Sequence, residues 1–471
     1  MKIALIYPRL YGYKEKSFGI GGYARIMLGY PPLSLAYVAA IIKKANHEAI
    51  IIDGNILNLD FSKVIKKIKE FSPDLLGFSV TTSTFHNVLV WVKTIKRIIK
   101  TPIIVGGALL DLYPEEVMQH KEVDYAIAGS SLYSLPEFLK AFSNNKDLTT
   151  VPGLYFRIGN KLIINEEKEA KNDINELPFP ARALLPNHRY YSPFSCKKNF
   201  TALLTSKGCM FRCAYCCLPE RLQLRRTEDV IEEMTECYYR FNIRDIDFYD
   251  SVFSANKERT IDLCQKIREK KFDFTWTVRT HINCVDGELL KEMSASGCRM
   301  IMYGIESTNQ LILKNLNRPA MSINRIRDVV SLTRRAGISS FGFFMLGSPG
   351  ETRATIEDTF RVSRKLGFDF VQFSRLTVIP GTQLYEDYLN VHKNDYWSRF
   401  ILDSNQKLPD IIQTQLPTDA VIRYVKKANL GFYLAPWRII KIILRLKSYR
   451  QLINHVKAGV NMLLSYMLQF V

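Results

Sequence analysis

Three closely spaced cysteines are the residues of this chain best suited to chemistry. Cys209, Cys213 and Cys216 lie within eight residues, separated by three and then two residues. Three thiolates on one loop can converge on a metal centre, and a cubane iron–sulfur cluster held by three cysteines keeps one iron without a protein ligand. A zinc site, which normally needs a fourth cysteine or histidine, and three incidental thiols are the alternatives. Cys217 adjoins Cys216, so its side chain should point elsewhere.

Alternating strands and helices are predicted around these cysteines. A strand at Thr201–Ser206 precedes the cysteine loop directly. Five more strands are predicted at 245–250, 274–279, 300–304, 340–346 and 370–378, with amphipathic helices between them, for example at 230–241, 260–270, 288–296 and 323–336. Strands that alternate with helices form parallel sheets or barrels, whose functional residues lie at the strand ends.

The cysteine loop resembles that of the radical S-adenosylmethionine superfamily, which prefers an aromatic residue such as Tyr215 before the third cysteine. The resemblance implies an open (β/α)6 partial barrel at 196–385 and a [4Fe-4S] cluster held by Cys209, Cys213 and Cys216. In that superfamily the open iron binds the amino and carboxylate groups of S-adenosylmethionine. An electron from the cluster cleaves the sulfonium, and the resulting 5′-deoxyadenosyl radical takes hydrogen from a substrate.

The resemblance also implies cofactor contacts at the strand ends. Asp250 is expected to meet the methionine amino group and Arg279 the methionine carboxylate, whereas Glu306 is expected near the ribose. Gly347 corresponds to a glycine motif that packs near the cofactor, and Pro380 to a segment under the adenine. For Asp250 the alternative is a cap for the next helix, and for Arg279 it is a surface or substrate-facing position.

A separate doubly wound α/β domain is predicted at 1–145. Its five apolar strands, at 3–7, 49–53, 75–79, 103–107 and 125–129, suit a parallel sheet covered on both faces. Ligands of such sheets bind beyond the carboxyl ends of the strands. That edge carries Ser79, Thr81, Gly106, Gly107 and Gly129. Helix capping for the hydroxyls and tight turns for the glycines are the alternatives. A hairpin and a proline-rich linker are expected at 146–195.

Such a domain before a radical barrel resembles the cobalamin-binding subclass of the superfamily. Pro31–Tyr37, Val105–Gly107 and Leu177–Arg182 resemble motifs of that subclass. The resemblance implies bound cobalamin, without histidine ligation, because the Asp-x-His-x-x-Gly motif does not follow the first strand. Gly129–Leu132 also departs from the Gly-Glu-Gly-Glu of relatives. A Rossmann-like domain that serves architecture or substrate binding is the alternative.

Two chemistries follow from this resemblance. In methylation, the substrate radical takes the methyl group of methylcobalamin, and a second S-adenosylmethionine remethylates cobalt. In oxidative cyclisation or rearrangement, no methyl group is transferred. We expect C-methylation of a hydrophobic or lipid-like small molecule, with flavodoxin or ferredoxin as the low-potential electron donor. A non-enzymatic cobalamin or iron–sulfur sensor is a hypothesis from another class.

Composition and charge limit the class of protein, its cellular location and its partners. The 471 residues are 47% hydrophobic and 24% charged, which is ordinary for a globular protein and excludes disordered and collagen-like chains. Nine cysteines without an export signal predict reduced thiols and a cytoplasmic location. The net charge is +19, but Val421–Val471 holds nine Lys and Arg and no acidic residue. The rest carries too little excess charge to predict a nucleic-acid partner.

The basic C-terminal region, 386–471, is expected to be helical. Arg438, Lys441 and Arg445 alternate with apolar residues at helical spacing, which suits peripheral contact with the anionic inner face of a membrane. Terminal helices packed on the barrel with a solvated basic face are the alternative. No membrane span is predicted, since the longest uncharged run, 26–42, contains Pro31 and Pro32.

Overall fold

The computed structural model describes residues 1–9, 29–167, 173–217, 221–403 and 414–434. The described residues divide into two compact units. Among these residues, the first unit contains 1–9, 31–167, 173–189 and 394–403, and the second contains 29–30, 190–217, 221–393 and 414–434. The basic segment around Arg438 lies outside the described residues, so its membrane contact stays a prediction. No helix within the described ranges is both long and apolar enough to cross a membrane.

The first unit contains the predicted doubly wound sheet. Its first five strands are β1 (Lys2–Tyr7), β2 (Glu48–Asp53), β3 (Leu75–Ser79), β4 (Ile103–Gly106) and β5 (Tyr125–Ile127), and its helices are α1 (Leu33–Lys44), α2 (Phe61–Phe71), α3 (Phe85–Lys96), α4 (Pro114–Met118) and α5 (Ser131–Ser143). These strands pair in parallel in the order β2-β1-β3-β4-β5. The strand order reverses between β1 and β3, which is the point where doubly wound sheets bind ligands.

The predicted hairpin forms, but it belongs to this sheet and not to a connector. Strands β6 (Leu154–Ile158) and β7 (Lys161–Ile164) extend the sheet to seven strands, and β6 pairs antiparallel with β5. Leu154 and Phe156 are buried in the core of the first unit. An isolated hairpin is marginally stable, so it gains by covering the open edge of β5. The boundary expected at residue 146 is therefore wrong, and the unit continues to 189.

The second unit is an open, parallel, six-stranded sheet with flanking helices. Its strands are β8 (Phe200–Leu203), β11 (Asp245–Phe248), β12 (Thr275–Thr280), β13 (Cys298–Glu306), β14 (Ser339–Leu346) and β15 (Phe370–Arg375), with a short ribbon of β9 (Ser206–Lys207) and β10 (Gln223–Leu224). Its helices include α6 (Thr227–Tyr239), α7 (Lys257–Glu269), α8 (Gly287–Ala295), α9 (Gln310–Asn315), α10 (Ile323–Arg335), α11 (Arg353–Ser363) and α12 (Gln383–His392). The strand order β15-β14-β13-β12-β11-β8 follows the chain from one edge to the other.

The two faces of this sheet have different roles. On β13, Ile301 and Tyr303 pack in the large core with the helices, while Met300 and Met302 belong to a separate cluster. This division follows from the alternation of side chains along a strand. The second cluster also contains Phe341 and is bordered by Phe194, Phe343 and Phe370. We call the face that carries it the inner face.

After the sixth strand the chain returns to the first unit. Helix α13 (Tyr396–Leu402) buries Trp397 and Ile401 completely there, before α14 (Thr418–Tyr433) packs on β15 in the second unit. Around α13, the Tyr113 hydroxyl donates to the Asp395 carboxylate, with oxygen–oxygen distances of 3.0 and 3.2 Å. The described part of the predicted helical region after 386 thus forms helices that belong to both units.

Two histidines hold the end of α13. The Nε2 atom of His86 lies 2.5 Å from the Phe400 carbonyl oxygen, and that of His120 lies 3.0 Å from the Ile401 carbonyl oxygen. A carbonyl only accepts hydrogen bonds, so each ring donates from Nε2. Burial lowers the pKa of both rings, although the carbonyl bonds raise it in part.

These histidines predict pH-dependent stability. Unfolding exposes both rings and lets them bind protons, so the free energy of unfolding should fall as the pH drops below the unfolded pKa of ~6.5. The double variant His86→Gln/His120→Gln keeps amide donors and should lose part of this dependence in urea unfolding monitored by tryptophan fluorescence. His188→Gln, at an exposed position, is the control. Full retention of the pH dependence in the double variant would contradict the assignment.

Candidate functional site

The cysteine loop lies between β9 and β10, past the carboxyl end of β8. Cys213 is buried, Cys209 is half-buried and Cys216 is exposed, and none of the three forms a disulfide. Two backbone hydrogen bonds of 2.9 Å fix the middle of the loop, one from Ala214 N to the Leu316 carbonyl and one from Leu384 N to the Ala214 carbonyl. The loop is therefore attached to the segments that follow β13 and β15.

The donor set fits a cluster better than a single ion. No three His, Cys, Asp or Glu side chains among the described residues lie close enough together to hold one metal ion. Tetrahedral zinc needs four ligands that meet at one point. A cubane instead distributes its cysteine ligands over different iron atoms, so the thiols can stand further apart. Three cysteines on one anchored loop, none of them in a disulfide, suit this arrangement.

Arg318 is the residue at this site that the sequence analysis missed. Its Nη1 donates to Cys213 Sγ at 3.4 Å, and its Nη2 donates to the Gly304 carbonyl at 2.6 Å. Nη2 also lies 3.7 Å from Glu306 Oε1. Burial lowers the pKa of Arg318, but Glu306, Tyr215 and Cys213 outweigh it and raise the pKa overall. No motif surrounds Arg318 in the sequence, so its position after the fourth barrel strand was the only available signal.

Glu306 and Tyr215 meet beside Arg318. Burial raises the pKa of the Glu306 carboxyl, whereas Arg318 and a hydrogen bond with Tyr215 lower it in part. Burial and the Glu306 charge raise the pKa of Tyr215. Glu306 also has a φ of +62°, next to a register shift on β13. Such strain costs about 1–3 kcal/mol in a non-glycine residue and is concentrated at functional sites.

Gly304 makes this meeting sterically feasible. A Cβ atom at this position would lie 2.6 Å from Arg318 Nη2 and 2.8 Å from Glu306 Oε1. A glycine here thus leaves room for the Arg318 guanidinium at the end of β13. The structure brings Cys213, Tyr215 and Glu306 together around Arg318.

Asp250 is bonded to the backbone before the cysteine loop. Its Oδ1 accepts from Thr205 N at 2.7 Å and Ser206 N at 3.1 Å, and its Oδ2 accepts from the Thr205 hydroxyl at 2.5 Å. The side chain is 1% exposed, and burial raises its pKa. Asn256, and not Asp250, caps the next helix, α7. Contact of Asp250 with a methionine amino group stays a prediction.

Arg279 also has a partner within the chain. It forms two 3.0 Å hydrogen bonds with the two carboxylate oxygens of Asp247, and its guanidinium lies 4.5 Å from the centre of the Tyr249 ring. Asp247 is fully buried and accepts a further bond of 2.8 Å from the Tyr30 hydroxyl. A bidentate pair of this kind is strong. The predicted pairing with a methionine carboxylate therefore has a competitor within the chain and stays a prediction.

Gly347 and Pro380 lie in the loops after the fifth and sixth barrel strands. Gly347 has a φ of +92°, and its N–H and that of Ser348 donate to Glu351 Oε2. Burial raises the pKa of Glu351 to about 7. Thr352 accepts from Thr355 N and caps α11. Pro380 is buried in the loop before α12. Contacts of Gly347 and Pro380 with a cofactor stay predictions.

In the first unit, many polar groups at the predicted ligand-binding edge form hydrogen bonds with neighbouring residues of the chain. The Thr81 hydroxyl lies 3.1 Å from that of Ser83 and 2.9 Å from that of Thr84, before α3 begins. Gly129 N donates to Asp111 Oδ1 at 2.9 Å, and Gly129 has a φ of +70°. Ser79 lies at the end of β3 and is half-buried. These hydroxyls bond one another before α3, but none of them caps the helix, since Thr84 at its N-cap makes no side-chain cap bond.

Gly106 and Gly107 are not equivalent. A Cβ at Gly107, which has a φ of +117°, would lie 2.5 Å from the Val80 carbonyl oxygen and 3.1 Å from Ser79 Oγ. A Cβ at Gly106 would meet nothing within 4 Å. The backbone around Gly107 thus leaves no room for a side chain. At Gly106, in contrast, there is open space at the predicted ligand-binding edge.

Comparisons with known proteins agree with both units. A model described as B12 binding domain matches residues 24–139, and one described as Radical SAM superfamily matches residues 203–362. An uncharacterized methyltransferase of Pyrococcus horikoshii is 30% identical over 455 residues, covering 94% of this chain and 95% of the relative. The anaerobic magnesium-protoporphyrin IX monomethyl ester cyclase of Cereibacter sphaeroides is 22% identical over 93% of this chain and 72% of its own.

Two solved structures share the fold. The radical S-adenosylmethionine methyltransferase TsrM from Kitasatospora setae, with tryptophan substrate and a cofactor analogue bound, has a TM-score of 0.66 at 19% identity, over 83% of this chain and 77% of its own. The cobalamin-dependent radical enzyme OxsB, with aqua-cobalamin and S-adenosylmethionine bound, has a TM-score of 0.69 at 14% identity, over 98% of this chain and 72% of its own.

The chain belongs to the cobalamin-dependent radical S-adenosylmethionine methyltransferases. Its cofactors are a [4Fe-4S] cluster, S-adenosylmethionine and cobalamin, as the sequence motifs predict. The α/β architecture of a cobalamin-binding domain followed by a radical domain is confirmed.

The two glycines provide a matched test of the cobalamin edge. Gly107→Ala should lower the free energy of unfolding by about 1–3 kcal/mol, because alanine is strained at this φ and overlaps the Val80 carbonyl. Gly106→Ala should leave stability unchanged but weaken cobalamin binding, since its methyl group enters the open space. Urea unfolding and equilibrium titration with hydroxocobalamin measure the two effects. Unchanged cobalamin affinity in Gly106→Ala would place the cofactor elsewhere.

Proposed function

We propose that this protein methylates a carbon atom of a hydrophobic small molecule after hydrogen abstraction. The observation that carries the proposal is the anchored cysteine loop beside the strained Glu306 at the carboxyl end of the parallel sheet. When bound, the cluster supplies the electron that cleaves S-adenosylmethionine, and cobalamin carries the methyl group. Cys209, Cys213 and Cys216 hold the cluster, and Glu306 and Tyr215 stand where the ribose is expected.

The apolar part of the inner face supports a hydrophobic substrate. Met300, Met302 and Phe341 form this part, with Phe343 and Phe370 packed against it. Phe343 is half-buried, so its ring is available to a ligand at the carboxyl end of β14. Apolar walls with few polar groups are typical of small-molecule sites, and they exclude water from reactive species. We assign two roles to these apolar side chains: they exclude water, and they orient the carbon that is methylated.

The inner face also has a polar part, on β11 and β12, and this part favours a substrate that carries a polar group. Asp247 and Arg279 form the buried pair described above, and Tyr249 is 38% exposed beside it. Burial raises the pKa of the neighbouring Asp245 to about 7, although bonds from Lys197 N, Cys196 N and Thr275 lower it in part. We assign this polar part to the substrate's hydrogen-bonding end, and the apolar part to its hydrocarbon or aromatic body.

Removal of one cluster ligand tests the reaction. Cys213→Ala, reconstituted anaerobically, should bind less iron and form no 5′-deoxyadenosine from S-adenosylmethionine and dithionite. Cys217→Ala is the matched control, because Cys217 adjoins the loop motif without belonging to it, and it should retain both properties. Undiminished 5′-deoxyadenosine formation by Cys213→Ala would refute the assignment.

The same assay separates methylation from its alternatives. S-adenosylhomocysteine should appear alongside 5′-deoxyadenosine, because each methyl group comes from a second S-adenosylmethionine. 5′-Deoxyadenosine without S-adenosylhomocysteine would support cyclisation or rearrangement, the activity type named for the cyclase relative. The absence of both products would support the sensor hypothesis.

The electron donor is proposed to be an acidic flavodoxin or ferredoxin that docks at the cysteine loop. Met210 is 50% exposed on this loop, and Arg212 and Arg221 are exposed near it. Cations around an apolar contact attract an acidic partner and speed its association. Electron transfer at this surface would reach the cluster over a short path.

A charge reversal tests this docking surface. Arg212→Glu should slow cluster reduction by reduced flavodoxin roughly tenfold at low salt and leave reduction by dithionite unchanged. Lys365→Glu, an equal charge change at an exposed position after α11, is the control. Equal flavodoxin rates for the two variants would exclude docking at Arg212.

A further inference from the structure

His281 has a buried hydrogen-bond donor for which the described residues supply no acceptor. It follows β12, and its side chain is 1% exposed. Its Nδ1 accepts a hydrogen bond of 3.2 Å from Asn283 N. A backbone N–H can only donate, so the neutral ring carries its hydrogen on Nε2. This Nε2 has no hydrogen-bond partner among the described residues.

The ring of His281 lies against the cysteine loop. Its centre is 4.7 Å from that of Phe211, which stands between Cys209 and Cys213. Burial, and after it the charge of Arg318, lowers the pKa of His281 to about 3. The ring therefore stays neutral at physiological pH and keeps its single Nε2 hydrogen.

A second buried donor occurs at the same loop. Arg318, which donates to Cys213 Sγ through Nη1, has no partner for its Nε among the described residues. Buried donors without acceptors are rare and unfavourable in native proteins. Two of them, from the segments after β12 and β13, indicate acceptors that the polypeptide does not supply. Cluster sulfides and cysteine thiolates are acceptors of this kind.

We propose that His281 donates a hydrogen bond from Nε2 to a sulfur atom of the cluster and thereby makes the cluster easier to reduce. This proposal rests on the cluster-binding role of Cys209, Cys213 and Cys216. Reduction adds one electron to the cluster, supplied by the donor protein or by dithionite, and no bond breaks and no proton moves. The added negative charge spreads onto the sulfurs, where an N–H dipole stabilises it.

A redox titration of the full chain tests the proposal. His281→Phe keeps a ring of similar size but removes the donor, while His281→Gln keeps an N–H near the position of Nε2. We expect His281→Phe to lower the equilibrium constant for one-electron reduction about tenfold, which shifts the midpoint potential by ~59 mV to more negative values. His281→Gln should recover part of this shift. Paramagnetic resonance of the reduced cluster measures the potential.

Tyr303→Phe is the matched control. Its hydroxyl bonds to Thr333 at 2.8 Å in the helix-covered core, so this variant loses a buried hydrogen bond on the next strand without touching the loop. It should leave the midpoint potential unchanged. An equal shift in Tyr303→Phe and His281→Phe would assign the effect to general loosening of the core.

A measurement on the unmutated protein covers the case in which His281→Phe loses its cluster. Histidine labelled with nitrogen-15 should show hyperfine coupling to the reduced cluster, and the coupling should vanish in His281→Gln prepared with unlabelled glutamine. Absence of coupling in the unmutated protein, or an unchanged potential in His281→Phe with full iron content, would overturn the proposal and assign Nε2 to water. A chain that assembles no cluster at all would instead refute the proposed function.

Discussion

The contact between Arg318 and the cysteine loop is the interaction on which the site depends. One guanidinium bonds Cys213 and the Gly304 carbonyl and lies beside Glu306, so it joins the cluster loop to the end of the fourth barrel strand. These partners come from separate parts of the chain, and each is buried or nearly so. In such surroundings a charge without partners is very unfavourable, whereas hydrogen bonds to several partners fix its geometry. Arg318 therefore ties the strained Glu306 to the cysteine loop.

The second sheet separates structural support from chemistry by side-chain alternation. Residues such as Ile301 and Tyr303 join the core with the helices, which stabilises the unit. Their neighbours Met300 and Met302 face the other way, onto the inner face. A one-residue register change would exchange the two sets, so the helix-covered core also fixes the inner face. The same alternation of side chains along β11 places Asp245 and Asp247 on the inner face, away from its apolar part.

Asp250 illustrates how a motif residue can also support the fold around it. The residue follows β11 where the family motif places a carboxylate, and both oxygens accept hydrogen bonds from Thr205 and Ser206. These bonds fix the backbone that leads into the cysteine loop. Arg279 shows the same principle, since Asp247 on the adjacent strand satisfies it first. Cross-strand neighbours decide which polar groups remain available.

The sequence alone determined the features that depend on local pattern. Spacing of Cys209, Cys213 and Cys216 indicated the cluster, and runs of apolar residues predicted the parallel strands of both units, because both signals are written in neighbouring residues. Only the tertiary structure decided that the hairpin extends the first sheet, that α13 returns to the first unit, and that Arg318 and His281 flank the cysteine loop. Each of these depends on contacts between residues far apart in the chain, and no local periodicity encodes such contacts.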